Sequence, residues 1–197
     1  FNPSRHRITY EILPDMDRFI LHRLQELIDR ANVAYETYEF HVIYHSLYNF
    51  CSVDLSSFYL DILKDRLYTS PPDSHDRRSA QTVMHILVDS IARMMAPILP
   101  FTAEEIWKHM PIVEDKELSI HLARFSISLN HFKNDSLAKK WEQIIEVRGE
   151  VTKALESART AKLIGHSLDA SVGILVSGQL YDILNEYVDS LRSIFIV

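Results

Sequence analysis

Six side chains able to meet nucleic acid gather in one short stretch: Lys64, Arg66, Tyr68, His75, Arg77 and Arg78. Lysine and arginine pair with phosphate oxygens, a guanidinium plane also stacks on an unstacked base, and a tyrosine ring offers a second stacking face. The chemistry within reach of these residue types is recognition of RNA rather than bond-making. Asp65, Asp73 and Asp76 dilute the patch, and charges at helix ends ordinarily do no more than solvate or pair weakly. A second series, Lys139, Lys140, Arg148, Lys153, Arg159 and Lys162, recurs along a later segment and can track a phosphate backbone. Glu142, Glu146, Glu150 and Glu156 interleave with it at spacings suited to local ion pairs of about 0.2–0.5 kcal/mol each, so an ordinary solvated face accounts better for this series.

Other reactive types are sparse. His41 and His45 stand four apart, the spacing of two imidazoles on one metal, but no third ligand falls on that face and no metal site is expected. Cys51 is the only cysteine, which excludes an internal disulfide and a cysteine-rich zinc cluster built from this chain alone. It falls on an apolar stripe, where a free cysteine acts as a small hydrophobe rather than a nucleophile. Trp107, Trp141, Phe19, Phe50 and Phe58 read as core. The formal charge of −6 argues against general nucleic-acid binding, so any such contact must be local. No DNA partner is expected.

These side chains must be held by helices. A chain of 197 residues with 47% hydrophobic content and only four glycines and seven prolines favours a mainly α fold with one sizeable core. Met16, Ile20, Leu24, Leu27, Ala31, Ala34 and Tyr38 predict a first helix after Pro14. Phe40, Ile43, Tyr44, Leu47, Cys51, Leu55, Phe58 and Ile62 predict a long second one to Tyr68, with Ser52, Ser56 and Ser57 as weak points. Pro71-Pro72 enforces a break, Ser74 caps a third helix, and Thr102 with Glu105 has the spacing of a capping box for a fourth. Pro111 to Asn134 reads as loop, with one extended piece at Ser119 to Phe125. A long helix from Asp135 or Ser136 should end at Gly165. Beyond it, Ala170 to Val176 reads as strand, Gln179 to Leu191 as helix and Ile194 to Val197 as strand. The expected organisation is a helix bundle over 1–134, a connecting helix over 135–165 and the start of a small α+β appendage over 166–197.

The run from Cys51 to Pro111 closely resembles isoleucyl-tRNA synthetases of the bacterial type. The likeness extends to Ala34-Tyr35-Glu36-Thr37-Tyr38-Glu39-Phe40-His41 and to Ala161-Lys162-Leu163-Ile164-Gly165. Valyl and leucyl enzymes share the bundle, but Lys64-Asp65-Arg66-Leu67-Tyr68-Thr69-Ser70 looks like the isoleucyl version. The resemblance implies the class I helix bundle that packs on the anticodon stem and loop of isoleucine-specific tRNA. It also implies a parent enzyme that joins isoleucine to that tRNA using ATP and magnesium. The family's His-Ile-Gly-His and Lys-Met-Ser-Lys-Ser signatures are absent; Ile164-Gly165-His166 mimics the first, but Leu163 stands where its leading histidine belongs. The chain is therefore expected to be non-catalytic and to carry no cofactor of its own, with zinc a matter for other parts of the parent. The missing initiator methionine and the apolar last residues, Ser193 to Val197, read as an excised piece. With no signal-peptide core and no apolar run long enough for a membrane span, a cytoplasmic monomer is expected. The rival reading is a free-standing bundle, either a scaffold or a carboxylate-metal enzyme, but no Glu-x-x-His pair repeats on different helices to support the latter.

Overall fold

The computed structural model describes residues 1–113, 116–125 and 130–197, and these divide into two compact units, Phe1–Asn134 and Asp135–Val197. The fold is mainly α, and no strand forms among the described residues.

In the first unit a short α1 (Pro3–His6) precedes α2 (Asp15–Glu36), whose first turn holds Asp15 and Asp17 at the positive end of the helix dipole. Its inward face of Phe19, Ile20, Leu24, Ile28 and Ala31 is almost fully buried. Tyr38, at φ 59°, turns the chain in the left-handed region. The next rod is continuous but not uniform: α3 (Phe40–Asn49), a π-helical segment (Phe50–Tyr59) and α4 (Leu60–Thr69). The expected serine weak points lie inside the π segment. The Ser52 hydroxyl donates to the Tyr48 carbonyl and the Ser57 hydroxyl to the Ser52 carbonyl, both at 2.7 Å.

The π segment corrects the inward stripe predicted for this rod. An i→i+5 bond, seen where the Leu60 amide meets the Leu55 carbonyl, returns the chain to the same face after five residues rather than four. Stepping back from Leu55 by helical spacing reaches Cys51, Leu47, Tyr44 and Phe40. The structure buries Ile43 as predicted but adds Ser46 and Phe50 in place of the other positions, leaving Phe40 and Tyr44 exposed and Cys51 half-buried. Burial still pushes the Cys51 thiol up, which keeps it protonated and unreactive.

After the Pro71-Pro72 break, the Ser74 hydroxyl accepts from the Arg77 amide and caps α5 (His75–Met95) as expected. Helix α6 (Pro100–His109) begins at Pro100, so Thr102 lies inside it and the capping box does not form. Glu104 turns outward from the helix to accept from the Ser119 hydroxyl at 2.8 Å and the Ile120 amide at 3.1 Å. The Ser119 bond chiefly lowers its pKa. The extended piece predicted at Ser119 to Phe125 is a set of turns, because Ile120 is drawn into a buried cluster with Ala92, Ala103, Trp107 and Met110. The rest of the predicted loop lies partly outside the described residues. His22 on α2 anchors its end, with Nδ1 accepting from the Asn134 amide at 2.9 Å.

One polar knot sits inside this unit. Asp17 is fully buried and accepts from the Tyr59 hydroxyl at 2.7 Å and from both terminal nitrogens of Arg66 at 3.0 and 2.7 Å. Arg66 also donates to the Asp76 carbonyl at 2.9 Å, so a single carboxylate gathers α2, the π segment, α4 and the start of α5.

The second unit is built on α7 (Asp135–Thr160), whose buried Leu137, Trp141, Ile144, Val151 and Leu155 serve a core with Ile183 and Leu184 of α8 (Gln179–Glu186) and Ile194 and Phe195 of α9 (Leu191–Phe195). Helix α7 stops before Gly165. Lys162 takes the left-handed conformation at φ 57°, and the Leu163 amide closes on the Ala158 carbonyl. The predicted strands at 170–176 and 194–197 do not form: the first is unpaired coil, and the second falls on α9 and the left-handed Ile196. The helix predicted from Gln179 to Leu191 breaks after Glu186.

Two outcomes follow from the buried polar groups. Asp17→Ala leaves a largely buried guanidinium without its partner and is expected to cost about 3–5 kcal/mol, against about 1 kcal/mol for Tyr59→Phe, as read from urea unfolding. Desolvation raises the Tyr35 pKa to about 12, where its hydroxyl donates to the Met94 carbonyl at 2.7 Å. Since the unfolded phenol ionises near 10, the folded state alone keeps this proton between about pH 10 and 12. Stability should therefore fall as pH rises through that window, measured by urea midpoints at each pH.

Candidate nucleic-acid interface

The cluster named from the sequence does come together, at the end of α4, the proline break and the start of α5, but most of its cations are already engaged. Arg66 is held by Asp17, with its side chain 18% exposed. Burial alone would lower its pKa, and the hydrogen bonds and charge of Asp17 more than reverse this. Arg77 donates to the Ser70 carbonyl at 3.1 Å, bracing the break. Arg78 reaches Asp73 at 2.6 Å and Gln81 at 3.1 Å. Lys64 bonds Asp61 at 2.8 Å, which raises its pKa. His75 is exposed, with Nδ1 3.8 Å from Asp76. Tyr68 stands apart from these partners, its ring 82% exposed. The patch thus offers one open stacking face with Lys64 and His75 exposed at its rim, while Arg66, Arg77 and Arg78 are partly covered and committed to protein partners.

Along α7 the second series divides in the same way. Lys140 bonds both carboxylate oxygens of Glu186 at 2.9 and 2.8 Å and lies 5.8 Å from the Tyr187 ring centre. Arg148 donates through Nε to the Ile194 carbonyl at 2.9 Å, tying α7 to α9. Lys153 pairs with Glu150, and Arg159 with Glu156, the local ion pairs the spacing predicted. Lys139 is exposed and has no side-chain partner among the described residues. The core aromatics Trp107, Trp141, Phe19, Phe50 and Phe58 are buried as expected. His41 and His45 are exposed, and no group of three metal-ligating side chains gathers among the described residues. His166 caps a short turn: its Nδ1 accepts from the Leu168 amide while Asp169 accepts from the His166 amide.

Sequence reasoning missed the outer face of α3, where Tyr44 and Tyr48 lie exposed with their rings nearly parallel, 25° apart and centred 6.1 Å from one another. Their spacing of four residues was visible. Helical spacing carried across the π segment places Tyr44 on the inward stripe and leaves Tyr48 without a role.

The model of the anticodon-binding domain of tRNA ligase matches residues 17–174. The chain belongs to the anticodon-binding domain family of tRNA ligases. Members similar to it along its whole length include the isoleucine–tRNA ligases of Carboxydothermus hydrogenoformans (49% identical), Syntrophotalea carbinolica (48%) and Geobacter sulfurreducens (46%). In each, the anticodon-binding chain spans 21% of the relative's length. No helix among the described residues is long and apolar enough to cross a membrane.

The division between engaged and open side chains has a direct readout. Arg66→Ala is expected to lower unfolding free energy by about 3 kcal/mol or more, whereas Tyr68→Ala should change it by less than about 0.5 kcal/mol, both followed by chemical denaturation.

Proposed function

We propose that this chain recognises the anticodon stem and loop of isoleucine-specific tRNA within a longer isoleucine–tRNA ligase, and that it performs no chemistry itself. The observation that carries this reading is likeness to isoleucine–tRNA ligases over the full 197 residues, at 44–49% identity in the first five relatives. A valyl or leucyl origin lacks such support. In the intact protein, isoleucine would be joined to tRNA with ATP and magnesium bound elsewhere, since neither nucleotide-handling signature is present and no metal-ligating group of three forms among the described residues. Any zinc would likewise belong to other parts of the polypeptide. The protein would act as a cytoplasmic monomer.

The chain's net charge of −6 makes the geometry of contact restrictive. Stem phosphates would meet outward cations, Lys64 in the first unit and Lys139, Lys140 and Lys153 in the second, while Arg77 and Arg78, partly covered, hold the proline break and the start of α5. Weak surface carboxylate pairs, such as Lys153 with Glu150, cost little to exchange for phosphate. Arg66 and Arg148 would support the surface from within, through Asp17 and the Ile194 carbonyl. Base identity would then be read by stacking and by edge hydrogen bonds to unpaired nucleotides.

The test is fluorescence anisotropy of the 197-residue chain with isoleucine tRNA at 50 and 200 mM salt, together with transcripts altered in the anticodon. With about three stem phosphates neutralised, affinity should fall roughly fortyfold between the two salt concentrations. Altered anticodons should bind more weakly. Salt-independent binding, or equal affinity for all anticodons, would sink the reading in favour of a protein-binding scaffold.

A further inference from the structure

Resting on the reading above, we infer that the outer face of α3 is a stacking site for unpaired nucleotides of the RNA loop, built on Tyr44 and Tyr48, with Arg30 and Asn49 at its edge.

The geometry begins with the π segment. By burying Phe50, Ser46 and Ile43, it turns His41, Tyr44, His45 and Tyr48 away from the core onto one side of α3. Tyr44 and Tyr48 are 60% and 59% exposed, and one helical turn separates two nearly parallel rings. Tyr38 and Phe40 extend the exposed aromatic surface at the start of the helix, their rings 6.3 Å apart. Parallel faces repeated along an axis suit a strand whose bases are splayed from their own stack, and such contact tolerates any base because every base has a π face.

Charge favours RNA over an apolar protein surface as the occupant. From Phe40 to Val53 no side chain carries a carboxylate, lysine or arginine, so a phosphate backbone meets no repulsion from this helix. The carboxylates that flank the helix or share its groove are already occupied: Glu39 accepts from the Thr37 hydroxyl at 2.7 Å, and Asp54 and Glu26 both accept from Arg23. Arg30, by contrast, is exposed on α2 and has no side-chain partner among the described residues. It lines a groove with Arg23, Glu26, Ser46, Asp54 and Asn49, the residue that follows Tyr48, and a guanidinium there can meet the phosphate of a nucleotide whose base lies on Tyr48. The Asn49 side chain, exposed and without a hydrogen-bond partner among the described residues, offers both a donor and an acceptor to a base edge. The rings are themselves amphipathic, ending in hydroxyls and flanked by imidazoles, whereas a dry protein contact would call for aliphatic side chains. An uncharged helix face of stacking rings, with Arg30 left open in the adjoining groove while Arg23 pairs with Glu26 and Asp54, therefore complements the phosphate-directed cations elsewhere: it takes bases where they take backbone.

The test uses the 197-residue chain and a synthetic hairpin carrying the isoleucine anticodon loop, with 2-aminopurine placed in the loop as reporter. Wild-type chain should quench the reporter on binding. The double variant Tyr44→Ala with Tyr48→Ala should bind at least about tenfold more weakly and lose the quenching, with circular dichroism unchanged because both rings lie outside the core. Tyr44→Phe with Tyr48→Phe should retain both properties, since the ring and not the hydroxyl is required. Arg30→Ala should weaken binding severalfold and flatten its salt dependence. If wild-type chain binds with anticodon dependence and the alanine pair binds equally well, this inference is overturned while the proposed function stands. If the alanine pair leaves RNA affinity intact but lowers the thermal stability of the whole ligase, the face is a contact within the longer protein and the inference again fails. Absence of anticodon-dependent binding by wild-type chain removes both.

Discussion

A single fully buried carboxylate organises the first unit. Asp17 lies at the start of α2, yet its oxygens are claimed by Tyr59 from the π segment and Arg66 from α4, and Arg66 reaches on to the backbone of α5. Burying one charge is costly, and the cost is offset only when every partner is in place. The arrangement therefore fixes the relative placement of three long helical elements far more narrowly than apolar contact would. A hydrophobic face tolerates sliding by a fraction of a turn, whereas a carboxylate shared between a phenol and a fork of two N–H donors does not.

That constraint holds the few cations of the first unit in a fixed arrangement. Arg77 braces the proline break through the Ser70 carbonyl, Arg148 ties α7 to the end of α9, and Arg66 serves the interior. Positive charge in this chain is divided between holding the scaffold and facing outward, and the same residue type does either depending on whether a carbonyl or a buried carboxylate lies within reach. The net charge of −6 then limits non-specific attraction to polyanions.

Much of the helical layout was legible because its signals were local. Pro71-Pro72, the Ser74 cap and the three-to-four spacing of α2 act within a turn or two, so composition and spacing declared them. What escaped depended on distant partners. The capping box predicted for Thr102 and Glu105 did not form because the helix starts earlier, at Pro100, and the neighbouring Glu104 is held by Ser119 and Ile120 from a distant turn. The stretch from Ser119 to Phe125 lost its predicted extension because Ile120 inserts beside Trp107. The final strands failed because no ladder partner exists for them among the described residues, and Ile194 and Phe195 bury better from a helix against α7. In the candidate site, residue types identified which side chains could meet RNA. The inward commitment of Arg66 and Arg148, and the outward turn of Tyr44, depend on partners far along the chain that spacing does not reveal.

The π segment also governs how this rod can change over time. Because its wider coil sits between α3 and α4, the length of Phe50–Tyr59 sets the angular phase between the tyrosines before it and the Arg66–Tyr68 end after it. Removing one residue there would let ordinary helix run straight through, swinging Tyr44 toward the interior while α4 stayed locked by Asp17. A one-residue length change in the middle of the rod would thus act as a rotary selector, choosing which side chains of α3 meet the outside world without any substitution among them.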